Sequence, residues 1–188
     1  MSRLRIQQRA RIYLGCEGQS EQSYAARLGQ IADSVGLYLH IDNDVLKPGG
    51  GDPLALVQLA IRRIERKEST RGIFALRAIL LDRDRWGAAQ ERDARIGQLS
   101  QRHRLHLIWQ EPCHEGFLLR HLEGHQTARP ATSGLAEEAL KGVWAEYRKA
   151  MPAIHLASRI DLQAVRRASL VEAALAVFLD QIGLTSRW

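Results

Sequence analysis

The chain has 188 residues, 45% of them hydrophobic and 26% charged, with a formal net charge of +6 and a pI near 9.8. That balance suits one globular domain with a real core and a small helical annex. No run approaches the ~20 apolar residues that span a bilayer, no signal-type segment is read at the start, and only two cysteines occur, so a cytoplasmic setting with free thiols is expected and no membrane.

The hydrophobic pattern reads β-α-β-α-β-α-β followed by helices. After a basic opening (Arg3, Arg5, Arg9, Arg11), residues 11–16 form an apolar strand. Over 20–35, apolar residues recur at helical spacing (Tyr24, Leu28, Ile31, Val35), with Ser20 placed to cap the start and Gly36 to stop it. A shorter strand over 37–41 ends in Asp42-Asn43-Asp44. Residues 47–53 stack prolines and glycines and read as a loop; they lack the order of a Walker A loop, so no nucleotide cradle is expected. An amphipathic helix over 54–66 carries Arg62, Arg63 and Arg66, and leads to a strand over 73–81. Its Ala78-Ile79-Leu80-Leu81 end has the unbroken apolar character of a buried parallel strand. A helix over 88–102 and a strand over 104–109 follow. Beyond Glu123 the pattern is helical, with helices over 134–150 and 159–183 separated by Met151-Pro152. Such alternation implies an α/β fold, a four-stranded mainly parallel sheet flanked by helices. The core is expected over 1–125, with a C-terminal helical extension, 126–188, packed on the same domain.

Two strands run into carboxylates: Cys16-Glu17-Gly18 closes the first, and Leu81-Asp82-Arg83-Asp84-Arg85 the third. Ligand sites in open α/β sheets form at the carboxyl ends of strands, so Glu17, Asp82 and Asp84 can converge. Alternate side chains of an extended backbone share a direction, which lets Asp82 and Asp84 face one cation. Converged carboxylates repel unless a cation holds them, and hard oxygen donors favour Mg²⁺ or Mn²⁺. Gly18 allows a tight turn and close approach to a ligand. Lys47, Arg83 and Arg85 are candidate substrate contacts to phosphate, or simply solvent-facing charges. Glu21 reaches the same edge but reads as a first-turn acid complementing the helix dipole, and Glu115 is a fourth metal ligand, an orienter of a basic side chain, or an acid of the same kind. If a helix runs through 114–125, His114, His121 and His125 share a face; ordinary core or surface histidines are expected there rather than a metal stripe. Cys113 reads as a small buried side chain.

The stretch Cys16-Glu17-Gly18-Gln19-Ser20-Glu21-Gln22-Ser23-Tyr24 resembles the opening motif of the RloB-like family, a Cys-Glu-Gly followed by a Thr-Glu and a Tyr-Phe pair. Leu81-Asp82-Arg83-Asp84 is similar to that family's Asp-x-Asp strand end. Residues 111–121 resemble its third motif, Asn-Pro-Cys-Phe-Glu-x-Trp-x-x-x-His, with Pro112, Cys113, Glu115 and His121 matching. Glu111, His114, Phe117 and Ala25 depart from the family's Asn, Phe, Trp and Phe. The resemblance implies a Toprim-like, Rossmann-like domain in which Glu17 matches the acid/base residue, and Asp82 and Asp84 match the Mg²⁺-holding pair. It also implies a phage-defence or restriction context, often with an ATPase partner protein.

Four of the 27 basic residues are lysine (Lys47, Lys67, Lys141, Lys149), leaving 23 arginines. Arginine's planar fork suits phosphate, so nucleic acid is the expected partner, although an arginine-biased proteome explains the excess equally well. The expected function is a Mg²⁺-dependent nuclease acting on DNA or RNA. One alternative is a non-catalytic module docking nucleic acid or an ATPase; another is hydrolysis of small phosphate compounds. The C-terminal helices either cover the sheet, the default, or offer a homodimer face.

Overall fold

Strand and helix alternate through the first two thirds of the computed structural model, which describes residues 9–46 and 51–187. The order is β1 (Ala10–Cys16), α1 (Gln19–Ser34), β2 (Leu39–Val45), α2 (Pro53–Arg71), β3 (Leu76–Asp82), α3 (Gln90–His103), β4 (Leu105–Gln110) and α4 (His114–Leu119). Helices α5 (Ser133–Val143), α6 (Ala153–Leu156), α7 (Leu162–Ser169) and α8 (Ala173–Gln181) follow. The four strands are all parallel, in the order β2-β1-β3-β4. The α/β architecture expected from the alternation is therefore present, with C-terminal helices.

The sheet is buried on both sides, which explains the unbroken apolar runs of its two central strands. One face presents Leu14, Cys16, Ala78, Leu80 and Ile108 to α1 and the C-terminal helices; the other presents Tyr13, Ile79 and Leu81 to α2 and α3. Leu140, Trp144, Tyr147, Val165 and Phe178 belong to the first of these cores, so the C-terminal helices pack on the sheet rather than apart from it. Helix α2 starts where the Asp52 side chain accepts the Ala55 amide at 3.0 Å, with Pro53 in the first turn, where its missing N–H costs nothing. No helix among the described residues is long and apolar enough to cross a membrane.

Several boundaries differ from the sequence reading; helix α2, expected over 54–66, runs on to Arg71. Strand β2 continues through Asp42-Asn43-Asp44 to Val45 instead of stopping at 41. Lys67 reaches Asp42 at 2.7 Å, Arg63 reaches Asp44 at 2.8 Å, and Arg11 lies 3.4 Å from Asp42, so cations from β1 and α2 hold those acids in the sheet. Helix α1 is capped at Gly18; the Ser20 hydroxyl instead accepts the Ala150 amide at 2.9 Å. Helix α4 ends at Leu119, not near 125. The two long C-terminal helices break up: the first ends at Val143, and the second is interrupted after Ser169, where Glu172 turns in to pair with Arg120.

Candidate metal centre

Because β1 and β3 are adjacent and parallel, their C-terminal ends leave the sheet side by side, with Cys16 in register with Leu80. Glu17 and Asp82 therefore meet: the Asp82 main-chain N–H donates to Glu17 Oε2 at 3.2 Å. Gly51, just ahead of α2, lies so close to Glu17 that a Cβ there would stand 2.6 Å from Glu17 Oε1. The first turn of α1 brings in Glu21, 5% exposed, whose Oε2 accepts the Gly18 amide at 2.9 Å. This is the dipole-complementing acid the sequence suggests, and it also faces the site.

Asp82 is the centre of this group. Its carboxyl is pushed up to about 9, first by burial, then by the negative charges of Glu21, Glu17, Asp84 and Glu115. Its Oδ1 is buried without a hydrogen-bond partner. No lysine or arginine among the described residues lies within 4 Å of Asp82 or Asp84, in contrast to Asp42 and Asp44. A buried carboxylate left without a countercharge is costly, so a proton or a cation must complete it.

Glu115 opens the first turn of α4 and is 6% exposed. Its Oε1 accepts the Tyr147 hydroxyl at 3.2 Å, its Oε2 the Cys113 thiol at 3.2 Å, and Lys149 lies 3.7 Å away. It is better provided for than Asp82. Gly116 behind it is obligatory: a Cβ would lie 2.8 Å from the Glu111 carbonyl oxygen and 2.9 Å from Pro112 Cδ.

Asp84, Arg83 and Arg85 are exposed at the rim beyond β3. Arg83 makes one loose ion pair, 3.6 Å to Glu111, that solvent screens. Lys47 lies outside the described residues. Among the described residues, no three of histidine, cysteine, aspartate and glutamate close into a ready-made ligand set.

The histidine stripe does not form, because α4 stops first. His121 is buried, pairing Nε2 with the Tyr24 hydroxyl at 2.9 Å and Nδ1 with the Phe117 carbonyl at 3.0 Å; burial lowers it to about 3. It is a core residue. His114 is buried too, and Gln110 pairs with its Nδ1 at 2.8 Å, leaving Gln110 Oε1 and His114 Nε2 without partners. Gln110 stands beside Asp82 in the β3–β4 register, so it belongs to the polar edge although no sequence signal beyond a glutamine closing an apolar strand marks it. Both thiols, Cys16 and Cys113, are free and buried, as expected.

No family model matches the chain, and no curated protein or solved structure matches it.

Proposed function

We propose that the chain is a Mg²⁺- or Mn²⁺-dependent hydrolase of phosphodiester bonds in DNA or RNA, working at the C-terminal edge of β1 and β3. One observation carries the reading: Asp82 keeps a buried, unpartnered carboxylate oxygen amid Glu17, Glu21, Asp84 and Glu115. An orphaned hard oxygen among acids is the donor chemistry that fits Mg²⁺ or Mn²⁺. Asp82 and Asp84 would hold the ion, with Glu17 and Glu115 beside them and water filling the remaining positions, since Mg²⁺ keeps several waters. When bound, the ion neutralises the scissile phosphate and stabilises the leaving oxygen.

Glu17 then accepts the proton of the attacking water, at a carboxylate oriented by the Asp82 amide. Arg83 and Arg85, exposed at the rim, reach phosphate oxygens and fix the strand. The resemblance to the RloB-like family supports the same roles for Glu17, Asp82 and Asp84, together with a defence setting and an ATPase partner, and the two free thiols are in keeping with a cytoplasmic location.

A second reading, a non-catalytic module that docks nucleic acid or an ATPase, is favoured by the lack of a closed ligand set among the described residues. Labelled DNA and RNA incubated with Mg²⁺ or Mn²⁺ separate the two. Chelator-sensitive cleavage that disappears in folded Asp82→Ala protein supports the hydrolase. No metal-dependent cleavage of any of these substrates by folded wild-type protein overturns it in favour of the module.

A further inference from the structure

The positive charge of the chain is not spread over its surface. Residues 53–104 contain twelve lysines and arginines and six acids, so this segment alone has the +6 of the whole sequence, and the remainder is balanced. The segment contains α2 and α3, which lie together on one face of the sheet.

Its inward-leaning cations are all engaged. Arg63 and Lys67 hold Asp44 and Asp42, Arg77 holds Glu68, and Arg92 holds Asp93. Besides Arg83 and Arg85 at the rim, six arginines remain exposed: Arg62, Arg66 and Arg71 on α2, Arg95 and Arg102 on α3, and Arg104 at its end. None of the six lies within 4 Å of a carboxylate among the described residues. Only Glu65 and Glu91 are exposed acids on the two helices, and Glu65 faces His103 at 3.8 Å.

We infer that the α2–α3 face is the surface on which a nucleic-acid duplex lays its phosphate backbone. Arg62 and Arg66 are one helical turn apart, about 6 Å along the axis, and Arg95 and Arg102 two turns, about 10 Å. Two neighbouring helices thus present rows of guanidinium forks suited to bidentate phosphate contacts. The face is equally informative in what it omits. Neither helix contains a phenylalanine, tyrosine or tryptophan, so no such ring is offered to the splayed bases of a single strand. No exposed large hydrophobic side chain belongs to either helix, so nothing inserts into a bilayer as an amphipathic membrane helix requires. What remains is backbone electrostatics, the sequence-independent part of duplex binding. Helix α2 begins beside Glu17, through Gly51, and runs down the face for about 28 Å. A duplex held there reaches the acidic edge at one end, which gives the proposed hydrolase a double-stranded substrate.

The inference rests on the nucleic-acid part of the proposed function but not on catalysis, so it is tested in EDTA, where cleavage has no bearing. Fluorescence anisotropy with a DNA duplex of about 30 base pairs should give a plot of log affinity against log salt with a slope of roughly −4 to −5 for the wild-type chain. The variant Arg62→Gln/Arg66→Gln/Arg95→Gln/Arg102→Gln, checked for its fold by circular dichroism, should bind at least tenfold more weakly, with a slope smaller by about 3. Arg159→Gln/Arg166→Gln, an exposed pair in the turn before α7 and on α7 itself, should bind as wild type does. Four results would each overturn the inference: undiminished binding by the folded quadruple variant, an equal loss in the Arg159/Arg166 variant, single-stranded DNA binding as tightly as duplex, or tighter binding to phosphatidylserine vesicles than to duplex. Loss of binding in the quadruple variant with no metal-dependent cleavage by wild-type protein supports the surface and counts only against the hydrolase.

Discussion

The main-chain N–H of Asp82 donates to the Glu17 carboxylate at 3.2 Å, tying together the ends of two strands separated by 65 positions. The carboxylate's place in the fold thus depends on the adjacency of β1 and β3, and the Asp82 side chain emerges beside an acid instead of beside a base.

The first prediction concerns pH. The Asp82 carboxyl stays protonated in the folded chain up to about 9, whereas in an unfolded chain it ionises near 4. Between those values the folded state binds the extra proton, so this group's contribution to stability is complete below the lower one and is lost as pH rises toward the upper. Metal-free wild-type protein should therefore lose Tm relative to Asp82→Asn by roughly 8–16 °C between about pH 5.5 and about pH 8.5, one bound proton being worth about 1.4 kcal/mol per pH unit. Parallel Tm curves for the two proteins would contradict the assignment.

Metal should act on the same atom. Mn²⁺ or Mg²⁺ at about 100 times its Kd should stabilise the folded chain by about 2.7 kcal/mol, which thermal melts read as a Tm rise of several degrees. Asp82→Asn, keeping the shape but only a neutral oxygen, should lose most of that rise. An equal rise in both proteins would place the ion elsewhere.

Gly51→Ala probes the approach of α2 to the site. Its Cβ would lie 2.6 Å from Glu17 Oε1, the end of a flexible side chain, so the carboxylate should swing aside while the fold persists. Turnover should fall at least tenfold with a Tm change within about 2 °C. Gly116→Ala meets backbone instead, the Glu111 carbonyl oxygen at 2.8 Å, and should cost about 1–3 kcal/mol of stability in urea unfolding. The contrast between the two alanines is the readout.

His121 gives a fourth prediction, with the opposite sign to Asp82. Burial lowers it to about 3, so it binds no proton in the folded chain where the unfolded chain does. Its contribution is whole above about 6.5 and is lost as pH falls toward 3. His121→Leu should blunt this acid sensitivity, and at neutral pH should cost about 1–3 kcal/mol, because the buried Tyr24 hydroxyl loses its partner. A calorimetric Tm series from neutral to acid pH checks both parts.

The fold and the principal acids were legible where the signal was local. Apolar runs that stop at Glu17 and Asp82 mark strand ends, and helical spacing marks α1 and α2, because both depend on which side chains must be buried. The errors occur where distant partners decide. Asp42 and Asp44 looked like a terminus, yet cations from elsewhere keep them in a strand. Glu172 falls inside the helix expected over 159–183, yet its pairing with Arg120 accompanies a break in that helix. Glu21 was legible as a helix-start acid; that its charge also acts on Asp82 depends on the fold setting the start of α1 near the end of β3. Gln110 had no local signature, since its importance comes from the register that sets it next to Asp82.

The Arg120–Glu172 pair has a consequence for modularity. Arg120 is wholly buried, and its carboxylate partner is supplied from beyond the sheet-bearing part of the chain. Cutting the protein between α4 and α5 would strand a guanidinium in an oily interior and bare Phe117 and Leu118 at the same stroke. The two parts therefore have to be inherited, grafted or lost together, and any fusion or split-protein scheme has to place its joint at a chain end rather than at that seam.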